Sequence, residues 1–191
     1  MTVLIAGLVI FFAVHSIAIV SPSWRERMVR QLGEWTWKGL YAAAALLGFA
    51  LIVWGYDLAR QYPLVLYTPP PWLWNVALLL LMPVFPLLLA TYLPGRIQIA
   101  AKHPMLLATK LWATAHLLVN GTLADILLFG SFLVWAVADR ISLRHRIDNL
   151  VPQIPRSPVN DVVAVVVGLA IYFAFGRWLH SWLIGVPIIT T

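Results

Sequence analysis

Residues 3–20, VLIAGLVIFFAVHSIAIV, carry no charge, and their only polar side chains are His15 and Ser16. A bilayer core of about 30 Å is crossed by about 20 such residues as helix, so the stretch reads as a transmembrane span. The rest of the chain follows suit. Hydrophobic residues fill 62% of the 191 positions and charged ones 10%, and mean hydropathy is +0.88, more apolar surface than one water-soluble domain hides. The fold class expected is all-α: a polytopic membrane helical bundle of about six transmembrane helices, one domain over residues 1–191. No basic residue precedes the first run and no small-residue cleavage site follows it, so a permanent span is expected, not a removable signal peptide.

Working outward, the first span stops at Ser21-Pro22-Ser23, where proline resists helix continuation. Residues 24–38 then hold Arg25, Arg27, Arg30 and Lys38. A second span, about 38–58, contains Ala42 to Ala45 and Gly48, small residues that let helices approach closely. Pro63 and the run Pro69-Pro70-Pro71 make residues 60–72 a stiff connector. The third span, about 72–93, should kink at Pro83 and Pro86. The fourth segment, Pro104 to Val119, is short at roughly 24 Å. Asn120-Gly121 then gives a tight turn, and Thr122-Leu123-Ala124-Asp125 reads as the capping box of a fifth span ending near Asp139-Arg140. An antiparallel hairpin of the fourth and fifth helices is expected. A proline- and arginine-rich stretch, 140–160, leads to the last span, about 159–184.

Lysines and arginines divide unevenly between the two sides of six spans. With the amino terminus outside, eleven fall on one side (Arg25, Arg27, Arg30, Lys38, Arg96, Lys102, Lys110, Arg140, Arg144, Arg146 and Arg156), and only Arg60 and Arg177 on the other. The positive-inside rule then places both termini on the non-cytoplasmic side. The net charge of +6 is thereby spent on loops facing lipid head groups, and nucleic acid is not expected as a partner. With no cysteine in the chain, disulfides, thiolate-held iron and cysteine nucleophiles are excluded.

Histidines supply the candidate chemistry, because an ionisable ring at bilayer depth is expensive unless something uses it. His15 has no charged residue near it in sequence, so it needs a partner on another helix or a ligand. His103 precedes Pro104 at the start of the fourth helix, beside Lys102, with Lys110 and Thr114 within about 20° of its face. His116, with Thr109, groups about 140° away and lies about 20 Å from His103 along the helix, so only one of the two pairs with His15 at a small metal centre. From the residues alone His103 also reads as an interfacial histidine, and His116 as a core histidine bonded to Asn120 or Asp125. His145 lies in a basic loop, and His180 between Trp178 and Trp182 at an interface; neither is a candidate. Two helical histidines on different spans suit axial ligation of haem b. A hydrolytic zinc site would need closely spaced ligands such as His-Glu-x-x-His, which the chain lacks. Ser16 beside His15, with Asp125 elsewhere, makes a poor triad, since helix neighbours point about 100° apart.

The segment Lys102-His103-Pro104-Met105-Leu106, followed by Lys110-Leu111-Trp112-Ala113-Thr114-Ala115-His116-Leu117-Leu118-Val119-Asn120-Gly121, together with Phe12-Ala13-Val14-His15-Ser16, resembles the NnrU family over residues 1–145. That family groups bacterial membrane proteins associated with nitrite and nitric oxide reduction. It is similar to the plant 15-cis-zeta-carotene isomerase, a membrane haem b enzyme whose ligand histidines lie in its first span and its His-Pro motif. The resemblance implies haem b held by His15 and His103, and redox or isomerase-type chemistry on a polyene or a small gaseous ligand. Arg96 or Lys102 is then available to pair with the propionates. Alternatives from other classes are a non-catalytic accessory to a membrane oxidoreductase of denitrification, and a quinone or lipid binder whose histidines only hydrogen-bond.

Overall fold

In the computed structural model, residues 1–144 and 154–188 are described; His145, Arg146 and the rest of the connector to residue 153 lie outside them. Of the described residues 80% are helical and none lies in a strand, and they fall into two compact units, 1–69 with 120–144 and 70–119 with 154–188.

The first unit is built on α1 (Thr2–Val20) and α3 (Glu34–Gln61), with α2 (Pro22–Leu32) between them and α8 (Leu123–Ser142) packed on both. Lipid offers helices no hydrophobic drive to pair, so close van der Waals fit must hold them. The buried residues of α3, Gly48, Ile52, Gly55 and Ala59, recur at helical spacing and form one seam. A methyl group on Gly48 would lie 2.7 Å from the Phe11 nitrogen, one on Gly7 2.6 Å from the Ile52 nitrogen, and one on Gly55 would strike the Leu4 main chain. The contacts step 4 to 55, 7 to 52 and 11 to 48, so α1 and α3 run antiparallel. The expected role of the second span in packing is thus met by its glycines. Beyond the seam, only 17% of the apolar window of α1, and of α3, is buried, and residues such as Leu46, Val53 and Trp54 face outward as a lipid-exposed surface.

An extended run crosses the far end of this unit. Leu66 and Tyr67 donate main-chain N–H groups to the Gly121 carbonyl at 2.8 and 3.2 Å, and Leu123 donates to Leu64 at 2.9 Å. A side chain at Gly121 would collide with the Tyr67 carbonyl. The expected capping box is present: the Thr122 hydroxyl accepts from the Asp125 amide, and Asp125 accepts from the Thr122 amide at 3.0 Å. The Asp125 carboxylate also accepts from the Tyr56 hydroxyl at 2.5 Å, so the one charged residue buried in this unit's core is fully partnered. Burial, then the Asp125 charge, pushes the Tyr67 phenol above its usual 10, keeping it a donor to the Asn120 carbonyl.

The second unit contains α4 (Leu73–Leu81), α5 (Val84–Ala90), α6 (Arg96–Ala101), α7 (Pro104–Val119), α9 (Pro158–Ala174), a π-helical turn (Phe175–Leu179) and α10 (His180–Ile184). The kink expected in the third span falls at Met82-Pro83, where the helix is interrupted between α4 and α5 while both residues stay right-handed helical, because Pro83 cannot donate to the preceding turn. Tyr172 on α9 donates to the Leu78 carbonyl just ahead of the interruption at 3.0 Å, and Gly168 lets α9 meet Pro86. Val84, Leu87 and Ala108 form the centre of the α5–α7 packing.

Several expectations change. The connector over 24–38 is helical: Pro22 ends α1 but occupies the first turn of α2, where its missing N–H is no loss. Within its own unit α7 packs with α4 and α5, and within the other α8 packs with α1 and α3. Among the described residues four helices, 2–20, 34–61, 73–90 and 158–184, are long and apolar enough to cross a membrane. α7 has 16 residues, and α8 holds Asp125, Asp139 and Arg140, so the count of about six spans is not reproduced by length and composition.

Gly55→Ala is expected to force α1 and α3 apart and cost about 1–3 kcal/mol. Thermal unfolding in detergent checks this; an unchanged midpoint would show that the seam is looser than the contacts indicate.

Candidate functional site

His15 sits about five residues from the end of α1, in the first unit, with aromatic rings around it. Phe11 stacks on it at 4.0 Å between centroids, Tyr41 of α3 lies at 5.4 Å, and Trp135 of α8 stands edge-on at 5.8 Å. Phe12 and Phe132 extend the cluster. One turn of helix sets the protonation pattern of the ring. Nδ1 lies 2.7 Å from the Phe11 carbonyl oxygen, and since a carbonyl only accepts, Nδ1 carries the proton. Nε2 is left with its lone pair and no partner among the described residues. This is how a histidine ligand is held when its other nitrogen binds a metal.

Beside it, the Trp135 indole nitrogen is buried without an acceptor. A buried donor left open in a folded protein calls for an explanation such as a bound group. The charges of Arg25 on α2 and Asp139 on α8 both act on the Tyr41 hydroxyl, so the cluster has an ionic edge. None of Tyr41, Trp135 and Arg25 was a candidate from the sequence. For Arg25 a signal exists: on a helical wheel it alone of the three α2 arginines falls on the apolar half.

His103 belongs to the second unit and is half-buried at the N-terminus of α7, its carbonyl accepting from the Leu107 amide at 3.1 Å. The residue before it is the unusual one. Lys102 has φ 61° and ψ −49°, and the His103 amide donates back to the Ala101 carbonyl at 2.7 Å. That is a γ-turn of the rare positive-φ kind, in a residue with a full side chain. Strain at this level, about 1–3 kcal/mol, persists only where surrounding contacts impose it, and such residues cluster at functional sites. The contacts on both flanks are visible. Pro104 fixes the start of α7, and α6 is anchored by Asp161 of α9, which accepts from the Arg96 and Ile97 amides at 2.8 and 3.0 Å. Gly95 leaves room for that carboxylate, which a Cβ would strike.

The side chains of Arg96 and Lys102 are exposed, while Lys110 is half-buried on α7. His116 is bonded through Nδ1 to the Trp112 carbonyl at 2.8 Å, an acceptor within its own helix. His180 makes the same kind of bond with the Val186 carbonyl at 2.7 Å, in an exposed position. Among the described residues, no three His, Asp or Glu side chains gather as a metal cage.

These features define a polytopic α-helical membrane protein with a ring-lined histidine inside its first span. A sequence model described as NnrU protein matches residues 3–188, and the chain belongs to the NnrU family. The match continues through the last helix, well past the 1–145 region that holds the motifs. No curated protein and no solved structure matches the chain.

At position 102 the order of stability is expected to be Gly above Lys above Val, with steps of about 1 kcal/mol, because glycine alone enters this backbone region freely and a β-branched residue is its worst occupant. Denaturant unfolding of Lys102→Gly and Lys102→Val in detergent measures it; a Val variant as stable as wild type would remove the strain argument.

Proposed function

We propose that this NnrU protein binds one haem b through His15 and His103, in a bacterial inner membrane with both termini periplasmic. The observation that carries this is the state of His15: a span-embedded imidazole with its proton committed to Phe11, its Nε2 lone pair unclaimed, and an orphaned indole N–H next to it. Aromatic rings suit the faces of a flat guest, and a neutral imidazole is the donor haem iron takes. When bound, haem would supply one-electron chemistry or a place for a polyene or a diatomic gas. The protein's part is to fix His15 through Phe11, to fix His103 through the strained turn at Lys102, and to keep water from the rings. Arg96 and Lys102 are the cations near His103 for the propionates, and Lys110 is a further one on α7.

A second reading keeps the cofactor and exchanges one ligand. It rests on the Nδ1 bond of His116 to the Trp112 carbonyl, which fixes the orientation of that ring on α7. Whether the haem protein acts itself, in redox or isomerase-type turnover, or serves a denitrification oxidoreductase as an accessory, is a question of partners that the same preparations address.

Protein purified in mild detergent from haem-supplemented cells is expected to show a Soret band that both His15→Ala and His103→Ala abolish. Loss in His15→Ala and His116→Ala, with His103→Ala unaffected, selects the second ligand pair. Haem-replete wild type without a Soret band overturns the haem reading and leaves a quinone or lipid binder. Carotenoid isomer analysis of the same cells separates an isomerase from an accessory factor, the latter leaving the isomers unchanged.

A further inference from the structure

Between its first two membrane-crossing helices the chain makes an 11-residue helix, α2, that contains three arginines and no buried residue. At 100° per residue, Trp24, Met28, Leu32 and Val29 fall on one half of α2, and Ser23, Glu26, Arg27, Arg30 and Gln31 on the other. Arg25 is the exception, half-buried on the apolar half, whereas Arg27 and Arg30 are exposed. Trp24 and Leu32 stay 41% and 43% exposed, although Trp24 meets Trp37 edge-on at 5.7 Å.

The position of α2 is dictated by its neighbours. α1 ends at Val20 and α3 begins at Glu34, and because these two helices run antiparallel across the apolar layer, α2 is confined to the surface that joins their ends. The breaks at Ser21 and at Gly33, whose φ is 83°, release it from the axis of either neighbour. A helix this polar on one half and apolar on the other suits neither the hydrocarbon core nor bulk water; it suits the boundary. Its cations are also left for an outside partner. Arg27 has no ion pair among the described residues, and Arg30 reaches Glu26 only at 3.9 Å in solvent. Lys38, by contrast, is held by Glu34 at 2.6 Å.

We propose that α2 lies in the plane of the membrane interface, with Trp24, Met28 and Leu32 in the acyl boundary, and that Arg27 and Arg30 bind the phosphates of anionic phospholipids. A planar guanidinium donates two parallel hydrogen bonds to one phosphate, which suits an exposed arginine pair one turn apart. This surface belongs to the first unit alone and does not depend on the haem reading.

The absence of cysteine allows single-site spin labelling without background. In phosphatidylcholine vesicles containing phosphatidylglycerol, a label at Met28→Cys is expected to be reached by oxygen and shielded from a nickel chelate, and a label at Ser23→Cys, about 140° away on the helix, the reverse. Native mass spectrometry of detergent-purified protein is expected to show retained phosphatidylglycerol, with about fivefold weaker retention for each of Arg27→Gln and Arg30→Gln and only part of that loss recovered in Arg27→Lys, which lacks the planar fork. Labels at 28 and 23 that are equally accessible to the nickel chelate overturn the in-plane helix. Equal retention of phosphatidylcholine and phosphatidylglycerol, or retention unchanged in the double glutamine variant, overturns the headgroup site.

Discussion

The contact between α1 and α3 is the constraint on which the first unit depends. In hydrocarbon the two helices gain nothing by hiding leucines from lipid, so association comes from main chains drawn within van der Waals reach over Gly7, Gly48 and Gly55. That seam sets what lies at its ends. Toward one end it brings Tyr41 to His15; toward the other it brings Tyr56 to the carboxylate of Asp125. The surroundings of the His15 ring and of the buried acid both follow from where three glycines fall.

In both units, side chains complete the helical hydrogen-bond ladder at particular helix starts. Thr122 and Asp125 close the start of α8, and Asp161 closes the start of α6 from a helix more than sixty residues away. Lys102 is the costly exception, a turn that satisfies its hydrogen bond only in a backbone region that side chains avoid. Its place directly ahead of His103 gives that histidine a fixed main-chain frame.

Much of this was legible in the sequence. The apolar runs marked the long helices, Pro104 and Val119 bounded α7, and Thr122 with Asp125 announced the box that caps α8. Residues in the order His15, His103-Pro104, His116 and Asn120-Gly121 pointed to the family that the match over 3–188 shows. What the sequence withheld was long-range or conformational. Nothing local says that Tyr56 reaches a carboxylate 69 positions on, that α7 and α8 pack with different partners, or that Lys102 adopts a positive φ. The helix α2 was missed because its apolar positions are few and its arginines suggest a loop; the wheel, not the composition, carries the signal.

The first unit is discontinuous in sequence: residues 1–69 are completed by 120–144. During synthesis Tyr56 emerges 69 residues before Asp125, an interval of about 3–14 s at ordinary ribosomal speeds of about 5–20 residues per second. Throughout that delay the α1–α3 pair must stand in the bilayer without its third helix, and the His15 ring without Trp135. In that interval the ring meets lipid on the side that Trp135 later closes, so its surroundings are complete only once α8 has arrived.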